Sequence, residues 1–313
     1  MDNFLTDVLK GLQSSPKYLD SKYFYDKKGD ELFQKIMESE EYYLTNAEME
    51  IFSKQQSQIV DTVLYNSDPL DVIEFGPGDA TKSVHLLKEL AGRKQIENYV
   101  PIDISENIIS LLNQSLPKQV PTLTIHGLAG EYFEMLSAAH KISSNKKLVL
   151  FLGANIGNFK FNEMPAFLMK LKSLLSAGDM VLIGFDLKKN PQTILSAYND
   201  QQGFTKEFNL NLLSRINKEL NGNFEIENFE HYPTYDPSTG ACKSYLISTK
   251  EQSVKIGETL IHFEKNEPIF MEISQKYSVK EIDEIATECE FEVLADFFDS
   301  NRYFVDVILK CND

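Results

Sequence analysis

The sequence predicts an α/β fold, a mostly parallel sheet with helices on both faces, into which a second α+β unit is inserted. Three observations predict it. Short, β-rich apolar runs alternate with helix-like segments between residues 70 and 185. Those runs are nearly continuous in Val, Ile and Leu, as in strands buried on both sides. After residue 186 this rhythm stops, and it returns only near the C-terminus.

The strands of the α/β series are expected at 70–75, 98–102, 121–126, 147–152 and 179–184, with helices at 80–91, 105–115, 131–138 and 161–176 between them. The inserted stretch predicts helices at 191–199 and 204–220, then strands at 223–231, 243–249, 254–263 and 267–276. Turn clusters such as Asp236-Pro237-Ser238-Thr239-Gly240 separate these strands, which argues for antiparallel pairing. A helix at 278–289 and strands at 291–297 and 303–310 return to the first sheet as an antiparallel edge hairpin. The first 55 residues are rich in Tyr and Phe, mostly helical in pattern, and carry no strand of the α/β series. The expected division is therefore 56–185 with 278–313 as the sheet domain, and 1–55 with 186–277 as the inserted, substrate-binding domain.

Composition narrows the function classes. The 313 residues carry a formal net charge of -16, which repels phosphate backbones and anionic lipid, so neither nucleic acid nor a membrane is an expected partner. The three cysteines, Cys242, Cys289 and Cys311, are far apart and form no C-x-x-C, so free thiols are expected and no metal site. The N-terminus lacks a basic start and a long apolar stretch, and the longest apolar runs fall far short of a membrane span. The expectation is a cytoplasmic monomer that takes a small molecule.

The stretch Val72-Ile73-Glu74-Phe75-Gly76-Pro77-Gly78-Asp79-Ala80-Thr81-Lys82-Ser83 runs from strand through a glycine turn into a helix start. Open α/β sheets bind ligands at this end of their strands. Gly76 and Gly78 let the backbone approach a ligand, and the helix start adds unpaired N–H groups. A third glycine, expected where a pyrophosphate binds, is missing, so a ligand without phosphates fits better. Asp103 ends the second strand, where an acid can accept both ribose hydroxyls of an adenosine. Gly153-Ala154-Asn155-Ile156-Gly157-Asn158 ends the fourth strand and supplies a floor for a small ligand. Together these three strand ends fit S-adenosylmethionine better than NAD.

Several segments are similar to those of the histidine-specific Nα-methyltransferases of ergothioneine biosynthesis: residues 22–52 (KYFYDKKGDELFQKIMESEEYYLTNAEMEIF), 99–106 (YVPIDISE), 151–159 (FLGANIGNF), 197–220 (AYNDQQGFTKEFNLNLLSRINKEL) and 270–278 (FMEISQKYS). Their order and spacing agree over nearly the whole chain. The resemblance implies a Rossmann-like class I methyltransferase sheet and S-adenosylmethionine as cofactor, held by Tyr25, Gly76, Lys82 and Asp103, with Lys82 reaching the methionine carboxylate; the glycine turn adds Gly78 to the expected cofactor residues. It also implies that Asn158 and Tyr198 hold the amino and carboxylate end of the amino-acid substrate, with Tyr42, Glu272 and Ser274 around an imidazole ring. Taken alone, Lys82 would be read as a solvated lysine and Glu272 as an exposed strand carboxylate. On a strand, however, Glu272 and Ser274 share one face, and a carboxylate with a hydroxyl can serve the two ring nitrogens.

The implied reaction is methylation of the α-amine of L-histidine to its trimethylated betaine, hercynine. With no strong base clustered at the implied site, catalysis rests on holding the reacting atoms in line. The catalytic candidates are Tyr25 and Tyr42, with Tyr25 preferred to orient the amine and pass its proton towards water. The sequence departs from the family in two places. His126-Gly127-Leu128-Ala129-Gly130 offers no acid near the adenine, and Ser244 stands where a methionine is common in the imidazole pocket. These departures keep open the same chemistry on another amino acid or derived amine, and a silent binding protein is a further alternative.

Overall fold

The computed structural model describes residues 3–64 and 69–312. The chain divides into two units, one of residues 1–43 with 188–275, the other of residues 44–187 with 276–313.

The second unit holds the sheet. Its eight strands run in the spatial order Phe291–Phe298, Phe304–Cys311, Met180–Asp186, Lys147–Phe151, Leu70–Phe75, Ile96–Asp103 and Thr124–Ile125, with Leu128–Ala129 also pairing Ile96–Asp103. From Leu70–Phe75 through its neighbours on both sides the strands are parallel, and Phe304–Cys311 runs antiparallel between Met180–Asp186 and Phe291–Phe298. This is the expected Rossmann-like sheet with its C-terminal edge hairpin. A short turn joins the last two strands, which forces one to run against the others. Every residue of Leu70–Phe75, Lys147–Phe151 and Met180–Asp186 is buried, which is why their sequences show no alternation.

The third strand expected at 121–126 is only the pairs Thr124–Ile125 and Leu128–Ala129, split by His126-Gly127. The chain first adds strands on one side of Leu70–Phe75 and then crosses to the other with Lys147–Phe151. That reversal opens a crevice at the carboxyl ends of these two strands, the place where such sheets receive ligands.

The first unit has a four-stranded sheet in the order Lys17–Tyr18, Pro268–Gln275, Ala241–Ser248 and Phe229–Asp236, parallel only at its first pair. Helix Lys27–Glu38 packs along helix Phe204–Leu220. Phe24, Phe208, Leu212, Leu246, Phe263 and Ile269 are among the side chains that close its apolar core. One expected strand, 254–263, is two: Gln252–Ile256 and Thr259–Phe263 form a hairpin closed by Gly257-Glu258, with Gly257 at φ +55°. The strand expected at 223–231 starts at Phe229, after a short helical turn at Ile226–Asn228.

Residues 44–55, 186–187 and 276–277, which the sequence groups with the inserted domain, fall in the sheet unit by their contacts. Helix Tyr43–Lys54 buries Leu44, Ala47, Glu48, Ile51 and Phe52. Glu48 takes the backbone N–H of Gly153 on both carboxylate oxygens, at 2.7 and 3.0 Å. No helix among the described residues is long and apolar enough to cross a membrane.

Candidate active site

In the sheet unit, the glycine turn follows Phe75 directly. Gly76 and Gly78 sit at φ +59° and +56°, a region that costs other residues about 1 kcal/mol or more. A Cβ on Gly76 would meet the Tyr132 hydroxyl at 2.9 Å, whereas one on Gly78 would meet nothing within 4 Å. Gly76 is thus held closed from behind while Gly78 faces open space. Helix Ser83–Gly92 begins three residues later than the sequence suggests, because Ala80 itself takes φ +57°. The Gly153 turn lies on the neighbouring strand end, and the Asn155 amide nitrogen is 3.6 Å from the Cβ position of Gly76 and 3.7 Å from that of Gly153. The two turns flanking the crevice therefore meet at Asn155.

Asp103 closes strand Ile96–Asp103, where its carboxylate accepts the Ser105 N–H at 2.9 Å. Tyr132 stacks on Phe75 at 4.8 Å. Burial, with the nearby charges of Asp103 and Glu131, pushes the Tyr132 hydroxyl up to about 12, so it stays protonated. Leu128–Ala129 pairs alongside Ile102-Asp103, so backbone rather than an acid lines this edge. One acid at the second strand end, one lysine and a glycine turn without a third glycine fit an adenosyl sulfonium and offer no cradle for a pyrophosphate.

Lys82 does not stand as a solvated lysine. Its ammonium is paired with Glu48. Burial works against its charge, but the Glu48 carboxylate outweighs that and raises its pKa. Below it, Glu74 is buried, takes the Tyr99 hydroxyl at 2.5 Å, and is pushed by burial up to about 7. Asp306 is buried on strand Phe304–Cys311 with no hydrogen-bond partner on either oxygen among the described residues. Burial first, then the charge of Glu48, holds its carboxyl well above the usual range.

In the other unit Tyr25 and three of the implied substrate residues, Tyr42, Tyr198 and Ser274, lie along one chain of contacts. Tyr25 meets Phe33 edge-on at 5.7 Å, Phe33 meets Tyr42 at 6.5 Å, and Tyr42 meets Tyr198 at 6.2 Å. The Tyr198 hydroxyl donates to Ser274 Oγ at 2.7 Å. Glu272 lies directly opposite Ser244, and Ser274 opposite Cys242, so each pair shares a face. Ser244 shares that face with Leu246 of the apolar core. The bulge between Phe270 and Glu272 is what turns Glu272 and Ser274 to this side.

His231 was not legible as a site residue. Its Nε2 lies 3.2 Å from Ser244 Oγ, and burial lowers its pKa to about 4, so the ring is neutral. Asn158 is exposed at the end of the short helical turn Asn155–Asn158 in the sheet unit. No cluster of three or more His, Cys, Asp or Glu that could hold a metal occurs among the described residues.

Residues 4–311 match the family model of the S-adenosylmethionine-dependent, histidine-specific methyltransferases. The chain belongs to this family. Among relatives of the histidine-specific methyltransferases, the histidine N-alpha-methyltransferase of Mycobacterium tuberculosis is 31% identical, over 87% of this chain and 83% of its own. The enzyme of the same name from Mycolicibacterium smegmatis is 29% identical over the same shares. An L-tryptophan methyltransferase of Psilocybe serbica is 27% identical over 98% of this chain and 92% of its own. As a member of the family the chain is an S-adenosylmethionine-dependent methyltransferase, and open α/β sheets receive ligands at the carboxyl ends of their strands.

Proposed function

We propose that this methyltransferase acts on the α-amine of L-histidine and carries the reaction to the trimethylated betaine, hercynine. The observation that carries the reading is the shared face of Glu272 and Ser274, with Ser274 fixed by Tyr198 and Tyr42 packed beside it. An imidazole has one N–H and one acceptor nitrogen, and a carboxylate with a hydroxyl can serve both at once. His231 bonds Ser244, the residue directly across from Glu272, on the carboxylate side of this arrangement.

The bound cofactor supplies an electrophilic methyl on a sulfonium, and each transfer releases one proton from the amine. We assign Tyr42, Tyr198, Glu272 and Ser274 of the one unit to the amino acid, and Gly76, Gly78, Lys82 and Asp103 of the other to the cofactor, while Asn158 and Tyr25 keep the substrate and cofactor roles that the family resemblance implies. Positioning alone can supply several kcal/mol of the barrier, on the order of 7–11 in favourable intramolecular cases. Tyr25 is the residue we assign to orient the amine and pass its proton to water, with Tyr42 as the second candidate. Tyr25 is half-exposed, which gives a proton a path to solvent. The same reading makes the protein a cytoplasmic monomer without nucleic-acid or membrane partners, in keeping with its charge of -16.

A second reading, the same transfer to tryptophan or a related amine, is favoured by the Psilocybe relative and by the small Ser244 facing Glu272. Mass spectrometry of products from an equimolar mixture of the proteinogenic L-amino acids and S-adenosylmethionine separates the two. The expected outcome is mono-, di- and trimethylhistidine, with Tyr25→Phe slowing each step about tenfold or more. Methylated tryptophan as the main product would select the second reading, and unchanged rates in Tyr25→Phe would remove the proton-relay role.

A further inference from the structure

We propose that Glu48 is a positioning residue for the amino-acid end of the cofactor, setting both Lys82 and the Gly153 N–H from the buried side of the sheet. The proposal rests on the cofactor reading of Lys82 given above. Glu48 is fully buried, and all three of its contacts at this end are to groups flanking the crevice. Its two oxygens take the Gly153 N–H, and Glu48 Oε2 takes the Lys82 ammonium. Lys82 Nζ in turn lies 3.5 Å from where a Gly153 Cβ would be. One carboxylate therefore ties the turn after Leu70–Phe75 to the turn after Lys147–Phe151.

The sheet is built to admit it. Gly184, at an ordinary strand conformation, leaves the space that Glu48 fills, since a Cβ there would lie 2.5 Å from Glu48 Oε1. On the next strand Asp306 stands opposite Gly184, buried and without a partner on either oxygen among the described residues. The charge of Lys82 acts on both acids. A buried pair kept only for stability is commonly matched or bettered by apolar packing. A second, unsatisfied acid beside it adds cost with no structural return. Cost of this kind is tolerated at working sites, and here the groups it fixes are the lysine assigned to the ligand carboxylate and the Gly153 turn beside it.

Calorimetry with S-adenosylhomocysteine tests the assignment on the full chain, using Glu48→Gln, Glu48→Asp, Lys82→Met and the Glu48→Gln/Lys82→Met double variant. Circular dichroism melting is recorded for each. Glu48→Gln and Lys82→Met are each expected to weaken S-adenosylhomocysteine about tenfold or more, with KM for the amino acid unchanged. The double variant is expected to lose less than the sum of the two single losses, because Glu48 acts in part through Lys82 and in part through the Gly153 turn. Glu48→Asp keeps the charge but withdraws the carboxylate, so it too is expected to lose affinity while melting near the parent. An S-adenosylhomocysteine Kd within twofold of the parent in folded Glu48→Gln or Glu48→Asp, or fully additive losses in the double variant, overturns the proposal. Absence of S-adenosylhomocysteine binding by the unaltered chain overturns it together with the cofactor reading. A parent that binds S-adenosylhomocysteine but methylates no histidine refutes only the substrate assignment, and the Glu48 comparison then decides alone.

Discussion

Replacing Glu272 by alanine is expected to lower kcat/KM for L-histidine by about 100-fold or more while leaving the Kd for S-adenosylhomocysteine unchanged. Glu272 is placed opposite Ser244 by the strand register and turned to the core side by the bulge after Phe270. A ring N–H that loses a charged acceptor in a half-buried place gives up roughly 1.5–3 kcal/mol, and leaving it unpaired adds to this. The loss falls on the amino acid alone because the cofactor groups Gly76, Lys82 and Asp103 belong to other strand ends. Glu272→Gln keeps an acceptor oxygen at the same place and is expected to lose less. Steady-state kinetics with calorimetry checks both statements. An alanine variant within threefold of the parent would remove Glu272 from substrate recognition.

The largest stability effect is expected from Lys147→Met. Lys147 and Asp71 are both buried and paired at 2.8 Å. Lys147 also donates to the backbone oxygens of Ser143 and Asn145, at 3.1 and 2.7 Å. Asp71 is further held by Asn98 and Asn145, at 2.8 and 3.1 Å, and by Ser143. Removing the lysine strands a buried carboxylate, which costs on the order of 3–5 kcal/mol. For a chain of this size that lowers Tm by about 10 °C.

The pH dependence has a definite sign. Burial raises the Asp71 pKa, but Lys147 and its hydrogen-bond donors outweigh it, and the carboxyl ends below its ordinary value of 3.8. The folded form therefore binds the proton less readily than the unfolded one. The stability that results is present above pH 3.8 and is lost as pH falls through the folded pKa. Thermal melts from pH 8 to pH 3 are expected to show the Tm gap between parent and Lys147→Met narrowing towards acid. A gap that stays constant would mean that the pair does not govern this limb. Asp71→Leu combined with Lys147→Met is expected to recover part of the loss, since it removes the stranded charge.

The sheet was readable because its strands announce themselves: Leu70–Phe75 and Met180–Asp186 are wholly buried, so their apolar runs are unbroken. The hairpin within 252–263 was missed because Gly257-Glu258 is a turn of only two residues inside an apolar stretch. Among site residues, Glu272 and Ser274 could be placed on one face from their spacing, but which face depends on a bulge that the sequence does not mark. Glu48 and His231 were not found at all. Glu48 earns its place by bonding a residue 105 positions away, and His231 by a contact across two strands. Long-range pairings of this kind leave no periodicity in the sequence around them. Lys82 follows the glycine turn and is legible as a candidate from the sequence, but its buried partner Glu48 comes only with the fold.

Calorimetry of the unaltered chain with S-adenosylhomocysteine and each of the proteinogenic L-amino acids in turn tests the central claim most directly. The account predicts binding selective for histidine, lost in Glu272→Ala while S-adenosylhomocysteine still binds. Equal binding of several amino acids, preference for tryptophan, or no binding of histidine would contradict it.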